Sequence, residues 1–271
     1  MQPSDLAEIP AVLAYLSAAV LILLGLPESR TALVKTGVAL AIVGVLLQGL
    51  SFWLDFQRID GLGLDFFTSL ALVSLVMAVL VLVGMIRFRL LEVLPLAMTG
   101  AALMTALKMA FAPDAGMLES NSAMLNLHII TSLLAYSLLS IAAVTALFIS
   151  VLHTLLHRHT GVGIIQALPP LVVMESMLFR MIAAGWIVLS ISLASGIFFI
   201  DDLFAQHLVH KTILSSLSWM VFGLLLAGRW RYGWRGMRVV RLCLIGMAIL
   251  VLAYFGSKAV LELMLDRSWQ R

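Results

Sequence analysis

The sequence has few charged residues and almost no cysteine, and both shortages narrow the classes of protein it can belong to. Only 11% of its 271 residues are charged and 62% are apolar, whereas soluble domains have about 25% charged and about 45–50% apolar residues. The single cysteine, Cys243, allows no disulfide and no CxxC or CxxCH motif, so the chain is not itself a c-type cytochrome. This composition predicts a polytopic membrane protein.

The start of the chain lacks the features of a cleavable signal peptide. Asp5 and Glu8 precede the first apolar run, and no Lys or Arg does, although such peptides begin with a positively charged region. We therefore expect the first apolar run to be retained as a membrane span.

Long apolar runs, separated by charged or Gly/Pro breaks, predict an all-α bundle of eight transmembrane helices. A helix needs about 20 apolar residues to cross the hydrocarbon core of a bilayer. The sequence shows no large soluble segment, low-complexity tract or convincing repeat between the runs, so we expect one transmembrane domain over residues 1–271. The predicted spans are residues 9–25, 33–54, 66–86, 90–111, 123–156, 181–200, 213–227 and 239–265.

A short amphipathic helix is predicted before the sixth span, near residues 168–179. Pro169 and Pro170 stand where this helix would begin, and proline is tolerated in a first turn because the amide there has no helical partner. We interpret the segment as a helix on the cytoplasmic surface of the membrane.

The distribution of basic residues predicts the orientation. Of the 17 Lys and Arg residues, eleven fall in the loops after spans 1, 3, 5 and 7, and five of these lie between Arg229 and Arg241. Basic loops stay in the cytoplasm, so both termini are predicted to lie outside. The high isoelectric point is therefore a signal of topology, and it does not indicate nucleic acid as a partner.

Three histidines are predicted to share the outer face. His128 begins span 5, and His207 and His210 lie in the break before span 7. His128 with one of the other two would suit a haem iron, which takes axial nitrogens from opposite sides. All three with Asp201 or Asp202 would suit a metal ion. The plain alternative is that they cap helices and bind lipid headgroups.

Two other groups of ionisable residues have simpler interpretations. His153, His157 and His159 stand at the cytoplasmic end of span 5, where a solvated helix end favours positive charge. Lys258 in span 8 could pair with Glu262, one turn later, or it could meet a haem propionate.

Four segments in the second half of the chain resemble the integral membrane cytochrome c assembly proteins, of the CcsA-like and HemX-like kind, and most of all their short eight-span subgroup. The segments occur in the family's order over about residues 126–265. They are "LHIITSLLAYSLL", "LPPLVVMESMLFRMIAAGWIVLSISLASG", "HKTILSSLSWMVFGLLLAGRWRYGWRGMR" and "AYFGSKAVLELML".

The resemblance implies a haem site on the outer face of the bacterial inner membrane. In the family, haem is presented between histidines at outer helix ends beside a tryptophan-rich loop with a WWD signature. His128 matches the first histidine, in a pattern with Ser132 and Tyr136. The loop "FFIDDLFAQHLVHK" contains no tryptophan, and no histidine follows His210. Haem ligation to an apocytochrome is therefore not expected, whereas His207 or His210 could replace the missing outer ligand.

These observations lead to one favoured function and two alternatives. The favoured function is the handling of haem b, with His128 and either His207 or His210 as iron ligands and Lys258, Lys211, Arg58 and Tyr136 around the cofactor. Membrane lipid and a cytochrome c biogenesis protein or another membrane protein are the expected partners. The alternatives are a transporter or accessory subunit for a metal or small anion, and a structural partner of another membrane protein. No group is placed for nucleophilic or acid–base chemistry, so a classical enzyme is not predicted.

Overall fold

The computed structural model describes residues 5–26, 30–59, 65–87, 91, 93–112, 123–157, 170–199 and 206–256. Within these ranges eight helices are long and apolar enough to cross a membrane, which confirms the predicted all-α membrane fold. Helices satisfy their own backbone hydrogen bonds, as a chain surrounded by lipid requires. The helices are α1 (Asp5–Gly25), α2 (Thr31–Ile59), α3 (Phe66–Arg87), α4 (Leu94–Phe111), α5 (Ala123–His157), α6 (Leu171–Phe199), α7 (Gln206–Tyr232) and α8 (Met237–Val251), followed by a π-helical turn (Leu252–Gly256).

Several predicted boundaries differ from those of the helices. The segment predicted as a surface helix is, from Leu171 onward, the first part of the same continuous helix as span 6, and residues 158–169 lie outside the described part. Glu175 and Arg180 interrupt the apolar run, but a helix continues through charged residues when their side chains find partners. Glu175 finds one, because it accepts a hydrogen bond from the main-chain N–H of Gly236, 2.8 Å away.

The last predicted span is described only in part, so its predicted end stays a prediction. Regular α-helix stops at Val251 and gives way to the π-helical turn, whereas a span to residue 265 was predicted; residues 257–271 are outside the described part. The predicted orientation, with both termini outside, stays a prediction.

The chain forms two compact units, each with four helices packed in a ring. In unit 1, α1 packs on α2 and α4, and α3 packs on the same two helices. In unit 2, α5 packs on α6 and α8, and α7 packs on the same two helices. Each helix therefore has a diagonal counterpart across its own ring. The prediction of a single domain stays a prediction.

Small residues let the helices of unit 1 approach closely. A Cβ atom on Gly37 would lie 2.6 Å from Cγ1 of Ile22, and one on Gly44 would lie 2.7 Å from the ring of Tyr15. Lipid tails are as apolar as the side chains, so close packing of this kind, rather than escape from water, holds membrane helices together.

Tryptophan and phenylalanine rings fill the corresponding interfaces of unit 2. The rings of Trp186 and Trp219 stack with their centroids 5.2 Å apart, and the Trp186 indole N–H donates to the carbonyl of Trp219 at 3.0 Å. Between α7 and α8, a Cβ on Gly246 would lie 3.0 Å from the ring of Phe222, which is fully buried. Aromatic packing on glycine thus defines these helix pairs.

Candidate functional site

The imidazole of His128 lies against the end of α6. The residue is half-buried in the second turn of α5, and its Nδ1 atom is 3.1 Å from the main-chain oxygen of Ser192 and 3.0 Å from Oγ of Ser195. Gly196 leaves room for the ring, since a Cβ there would lie 3.2 Å from Cε1 of His128. The ring is therefore held against the backbone of the neighbouring helix.

These contacts select one tautomer of His128. A carbonyl oxygen can only accept a hydrogen bond, so the bond to Ser192 requires the proton on Nδ1. The hydroxyl of Ser195 donates to the same carbonyl at 2.8 Å, which leaves its oxygen to accept. In the neutral ring, Nε2 then carries the free lone pair. This is the arrangement in which histidine binds a metal through Nε2, with Nδ1–H oriented by a carbonyl.

Nε2 of His128 has only a weak polar neighbour within the described part of the chain. Oγ of Ser132 lies 3.5 Å away, at the limit of hydrogen bonding. That hydroxyl is shared with stronger partners, the main-chain oxygen of His128 and Oγ of Ser192, each at 2.7 Å. The nitrogen is therefore available to a ligand.

Tyr136 lies two turns further along α5 and faces α8. Its buried hydroxyl donates to the main-chain oxygen of Leu250 at 2.8 Å, and its ring centroid is 5.8 Å from that of Tyr254 in the π-helical turn. Lys211 approaches the same turn, with Nζ 5.9 Å from the Tyr254 ring centroid. Tyr136 and Lys211 are thus connected through Tyr254, whereas His128 has its contacts on α6.

The remaining predicted site residues are only partly described. His207 and His210 lie in the first two turns of α7 rather than in a loop before it, and their side chains are outside the described part, as are Lys258, Asp201 and Asp202. α5 and α7 are diagonal in the ring of unit 2, so their direct neighbours are α6 and α8. The predicted role of each residue stays a prediction.

No group of three His, Cys, Asp or Glu side chains that could hold a metal ion occurs among the described residues. His153 and His157 stack on each other at the far end of α5, with ring centroids 4.9 Å apart. The interpretation of a solvated helix end stays a prediction.

Sequence reasoning missed a buried ion cluster in unit 1. Nζ of Lys108 lies 2.5 Å from Oε1 of Glu8 and 2.6 Å from Oδ2 of Asp55, and Oγ of Ser51 donates to the same oxygen of Glu8 at 2.6 Å. Lys108 and Glu8 are 7% and 2% exposed, so their charges are shielded from water. Lys108 also lies 4.6 Å from the ring centroid of Phe52.

A signal for this cluster was present in the sequence. Gln48, Ser51 and Asp55 are spaced by three and four residues, which places them on one face of α2. Such a polar stripe within a span indicates contacts with other helices. Gln48 makes them: its Oε1 accepts from the hydroxyl of Tyr15 at 2.8 Å, and its Nε2 donates to the main-chain oxygen of Ala71 at 3.1 Å.

Comparisons with known proteins find a family and several relatives for this chain. The family described as "Cytochrome C assembly protein" matches residues 11–265. The "Inner membrane protein YpjD" of Escherichia coli strain K12 is 38% identical to this chain over 146 residues, which are 54% of this chain and 55% of that protein. The protein of the same name from Escherichia coli O157:H7 gives the same values.

A more distant relative comes from Azospirillum brasilense. It is described as "Uncharacterized 28.8 kDa protein in nifR3-like 5'region" and is 34% identical over 143 residues, 52% of this chain and 53% of the relative. The matching stretch thus spans about half the length of the curated relatives. No solved structure matches the chain.

Proposed function

Because the chain belongs to the cytochrome c assembly protein family, we propose that it is a haem-handling membrane protein of the cytochrome c biogenesis class. It holds haem b at the outer face of the bacterial inner membrane and does not attach it covalently. The association of the family with haem supports the cofactor. The name of the Escherichia coli relatives and the eight apolar helices support the location.

The contacts of the two ring nitrogens of His128 are the observation that carries this proposal. Its Nδ1 is engaged by the main-chain oxygen of Ser192, and its Nε2 carries a lone pair with only a weak neighbour. An imidazole that is oriented through Nδ1–H in this way presents Nε2 as the atom that can bind a metal. Nε2 of His128 is therefore the first axial ligand in the proposal.

The second axial ligand in the proposal is His207 or His210. Both are in the first turns of α7, which is diagonal to α5 in the ring of unit 2. Diagonal helices of a four-helix ring present side chains to its centre from opposite sides, and such bundles hold cofactors there. His128 with His207 or His210 would hold the haem iron in this way, and the topology supports such an arrangement.

Other residues orient the cofactor in this proposal. Lys211 and Lys258 are candidates to pair with the propionates, and Tyr136 keeps α8 against α5 through its bond to the main-chain oxygen of Leu250. Ser195 acts as a positioning residue, because it contacts Nδ1 of His128. Bound haem would supply an iron centre that can carry one electron.

The proposal does not include covalent attachment or a classical enzyme reaction. The loop before α7 has no tryptophan, so the family's WWD signature is missing from it. A protein that holds haem without attaching it needs a recipient, and a cytochrome c biogenesis protein or another membrane protein is the proposed partner. In this proposal both termini lie outside the cytoplasm, because the basic residues are concentrated in the loops on the other side.

Absorbance spectra of the purified full-length protein test the haem site. Expressed with ample haem, the wild-type protein should carry haem b with a low-spin spectrum. His128→Ala should lose most of the Soret absorbance, and His207→Ala/His210→Ala should change the spectrum from low-spin to high-spin. Ser195→Ala should weaken haem binding about tenfold, as losses around metal-binding histidines do.

The matched control is His153→Ala/His157→Ala, which removes two imidazoles from the other end of α5 and should leave the spectrum unchanged. Full Soret absorbance in the His128→Ala variant would contradict the assignment of the ligand. A wild-type protein without haem, prepared from haem-replete cells and properly folded, would contradict the proposed function as a whole.

A further inference from the structure

The turn between α7 and α8 concentrates positive charge at one end of unit 2. We call residues 229–241 the arginine turn, because it contains Arg229, Arg231, Arg235, Arg238 and Arg241. All except Arg229, which is half-buried, are exposed. Among the described residues, an acidic side chain that contacts this turn is Glu175. Its carboxylate accepts a hydrogen bond from the main-chain N–H of Gly236. The arginine charges are therefore largely uncompensated by the described residues around them.

Several contacts hold the backbone of the turn in place. Gly233 and Gly236 have φ angles of 65° and 70°, which glycine adopts without steric cost. The N–H of Gly233 donates to the main-chain oxygen of Arg229 at 3.0 Å and so caps α7. The ring of Trp234 lies on Gly228, where a Cβ would be only 2.3 Å from Cε3. The turn is thus fastened to α7 by Trp234 and to α6 by Glu175.

Trp234 also positions two of the guanidinium groups. Arg229 donates from Nη1 to the main-chain oxygen of Trp234 at 3.2 Å, and its Cζ is 4.8 Å from the ring centroid of Phe179. The Cζ of Arg238 is 5.6 Å from the Trp234 ring. Stacking occupies the faces of a guanidinium and leaves N–H groups on its edge free to bind oxyanions. A ligand that binds here immobilises side chains that are already partly ordered, which lowers the entropy cost.

Exposed aromatic rings flank the same arginines. Trp230 is 90% exposed and Tyr232 is 74% exposed. Both α7 and α8 are long and apolar enough to span a membrane, so the turn that joins them lies at a membrane surface. Trp and Tyr prefer this level of a bilayer, with the ring beside the upper acyl chains and its polar atom at the headgroups. The surroundings of the turn therefore include both phosphate and hydrocarbon.

We propose that the arginine turn is a binding site for an anionic phospholipid. The phosphodiester contacts Arg235, Arg238 and Arg241, and the acyl chains lie beside Trp230 and Tyr232. Arg238 and Arg241 are three residues apart and so are neighbours on the surface of α8. A diffuse basic loop would concentrate anionic lipid without retaining it, whereas Arg238 is held by the ring of Trp234 in a turn whose backbone is fixed, which presents a defined site. This proposal does not depend on the haem site.

Lipid titration of the full-length protein in nanodiscs or detergent tests the site. Phosphatidylglycerol and phosphatidylcholine with the same acyl chains are the probes, and bound lipid is counted by native mass spectrometry. The wild-type protein should retain phosphatidylglycerol in preference to phosphatidylcholine. Arg235→Gln/Arg238→Gln/Arg241→Gln should weaken its binding roughly 100-fold, at about a factor of five for each arginine.

Two further variants separate a defined site from general positive charge. Arg235→Lys/Arg238→Lys/Arg241→Lys keeps the charge but not the planar fork, and it should lose part of the affinity while folding as the wild type does. Lys35→Gln removes an exposed basic residue from unit 1 and should change nothing. Equal retention of the two lipids, an unchanged lysine variant, or an equal loss in Lys35→Gln would overturn the proposal. Displacement of the lipid by millimolar inorganic phosphate would show a site for free anions instead.

Discussion

The two units bury polar side chains in the same kind of four-helix ring, but they do so in different ways. Unit 1 buries charges: Lys108 donates to Glu8 at 2.5 Å, to Asp55 at 2.6 Å and to Ser51 at 3.4 Å. Unit 2 instead holds a half-buried imidazole, because His128 contacts a carbonyl oxygen and serine hydroxyls. An ammonium group has three N–H donors, and Lys108 uses all of them.

The two units differ in whether a polar atom still has a donor or an acceptor free for a ligand. The ion cluster joins α1, α2 and α4 through the side chains of Glu8, Asp55 and Lys108. All three N–H donors of the Lys108 ammonium are used, so none is left to bind a ligand. Among the residues that the structure describes, Nε2 of His128 has only a weak polar neighbour, at 3.5 Å. Burial of a polar group within a membrane span is therefore not sufficient to indicate a binding site. An unused donor or acceptor is the more informative feature.

The largest effect on stability is expected when the cation of the unit 1 ion cluster is removed. Lys108→Met leaves the carboxylates of Glu8 and Asp55 without their shared partner, and the free energy of unfolding should fall by about 3–5 kcal/mol. Glu8→Gln/Asp55→Asn/Lys108→Met removes all three charges and should recover most of that loss. Hydrogen exchange of α1 and α2 amides in detergent measures both. If the triple variant is no more stable than Lys108→Met, the ion cluster does not act through its charges.

Added methyl groups should distinguish the packing of the two units. Gly44→Ala presses on the ring of Tyr15, which is fully buried and bonded to Gln48, and overpacking of this kind costs about 1–3 kcal/mol. Gly223→Ala meets Nε1 of Trp186 at 3.2 Å, which is a smaller overlap. A shift of a few tenths of an ångström relieves it, so the cost should be below about 1 kcal/mol. Thermal unfolding should rank the two variants in this order, and the reverse order would contradict the argument.

Removing one hydroxyl from each unit gives a smaller difference. Tyr15→Phe leaves the buried Oε1 of Gln48 without its donor, which should cost about 1–2 kcal/mol. Tyr136→Phe removes a bond to the main-chain oxygen of Leu250. Its cost should be close to the average of about 0.6 kcal/mol for hydrogen bonds between membrane helices. Hydrogen exchange of α2 and α8 amides measures the two costs. Equal costs in Tyr15→Phe and Tyr136→Phe would contradict this ranking.

The smallest effect is expected at the far end of α5. His153→Ala/His157→Ala removes two stacked rings at a helix end, and stability should change by less than about 0.5 kcal/mol. A thermal unfolding curve that shifts by more than this would mean that the stacked pair supports unit 2.

The sequence was sufficient to predict the helices and insufficient to predict where some of them end. Apolar run length identified every span because the bilayer demands it. The same criterion wrongly predicted residues 168–179 as a helix separate from span 6, because Glu175 and Arg180 interrupt the apolar run. Only the position of the α7–α8 turn shows that Glu175 is satisfied by the N–H of Gly236.

The candidate site was predicted in part for similar reasons. The pattern of His128, Ser132 and Tyr136 drew attention to α5, but Ser192 and Ser195 are more than 60 residues away in the sequence. The ion cluster was missed because Glu8, Asp55 and Lys108 each look like an ordinary charge near the end of a span. Their pairing depends on three separate helices.

The sequence by itself determined the class of the protein, its eight membrane-crossing helices and the family to which it belongs. These properties follow from local composition and short motifs, which act over one helix at a time. The tertiary structure alone decided which polar atoms are used and which are left free. Hydrogen bonds between helices depend on distances of a few tenths of an ångström, and such distances arise only when the helices pack. The structure therefore shows that the N–H donors of Lys108 are all used, whereas Nε2 of His128 has only a weak partner among the described residues.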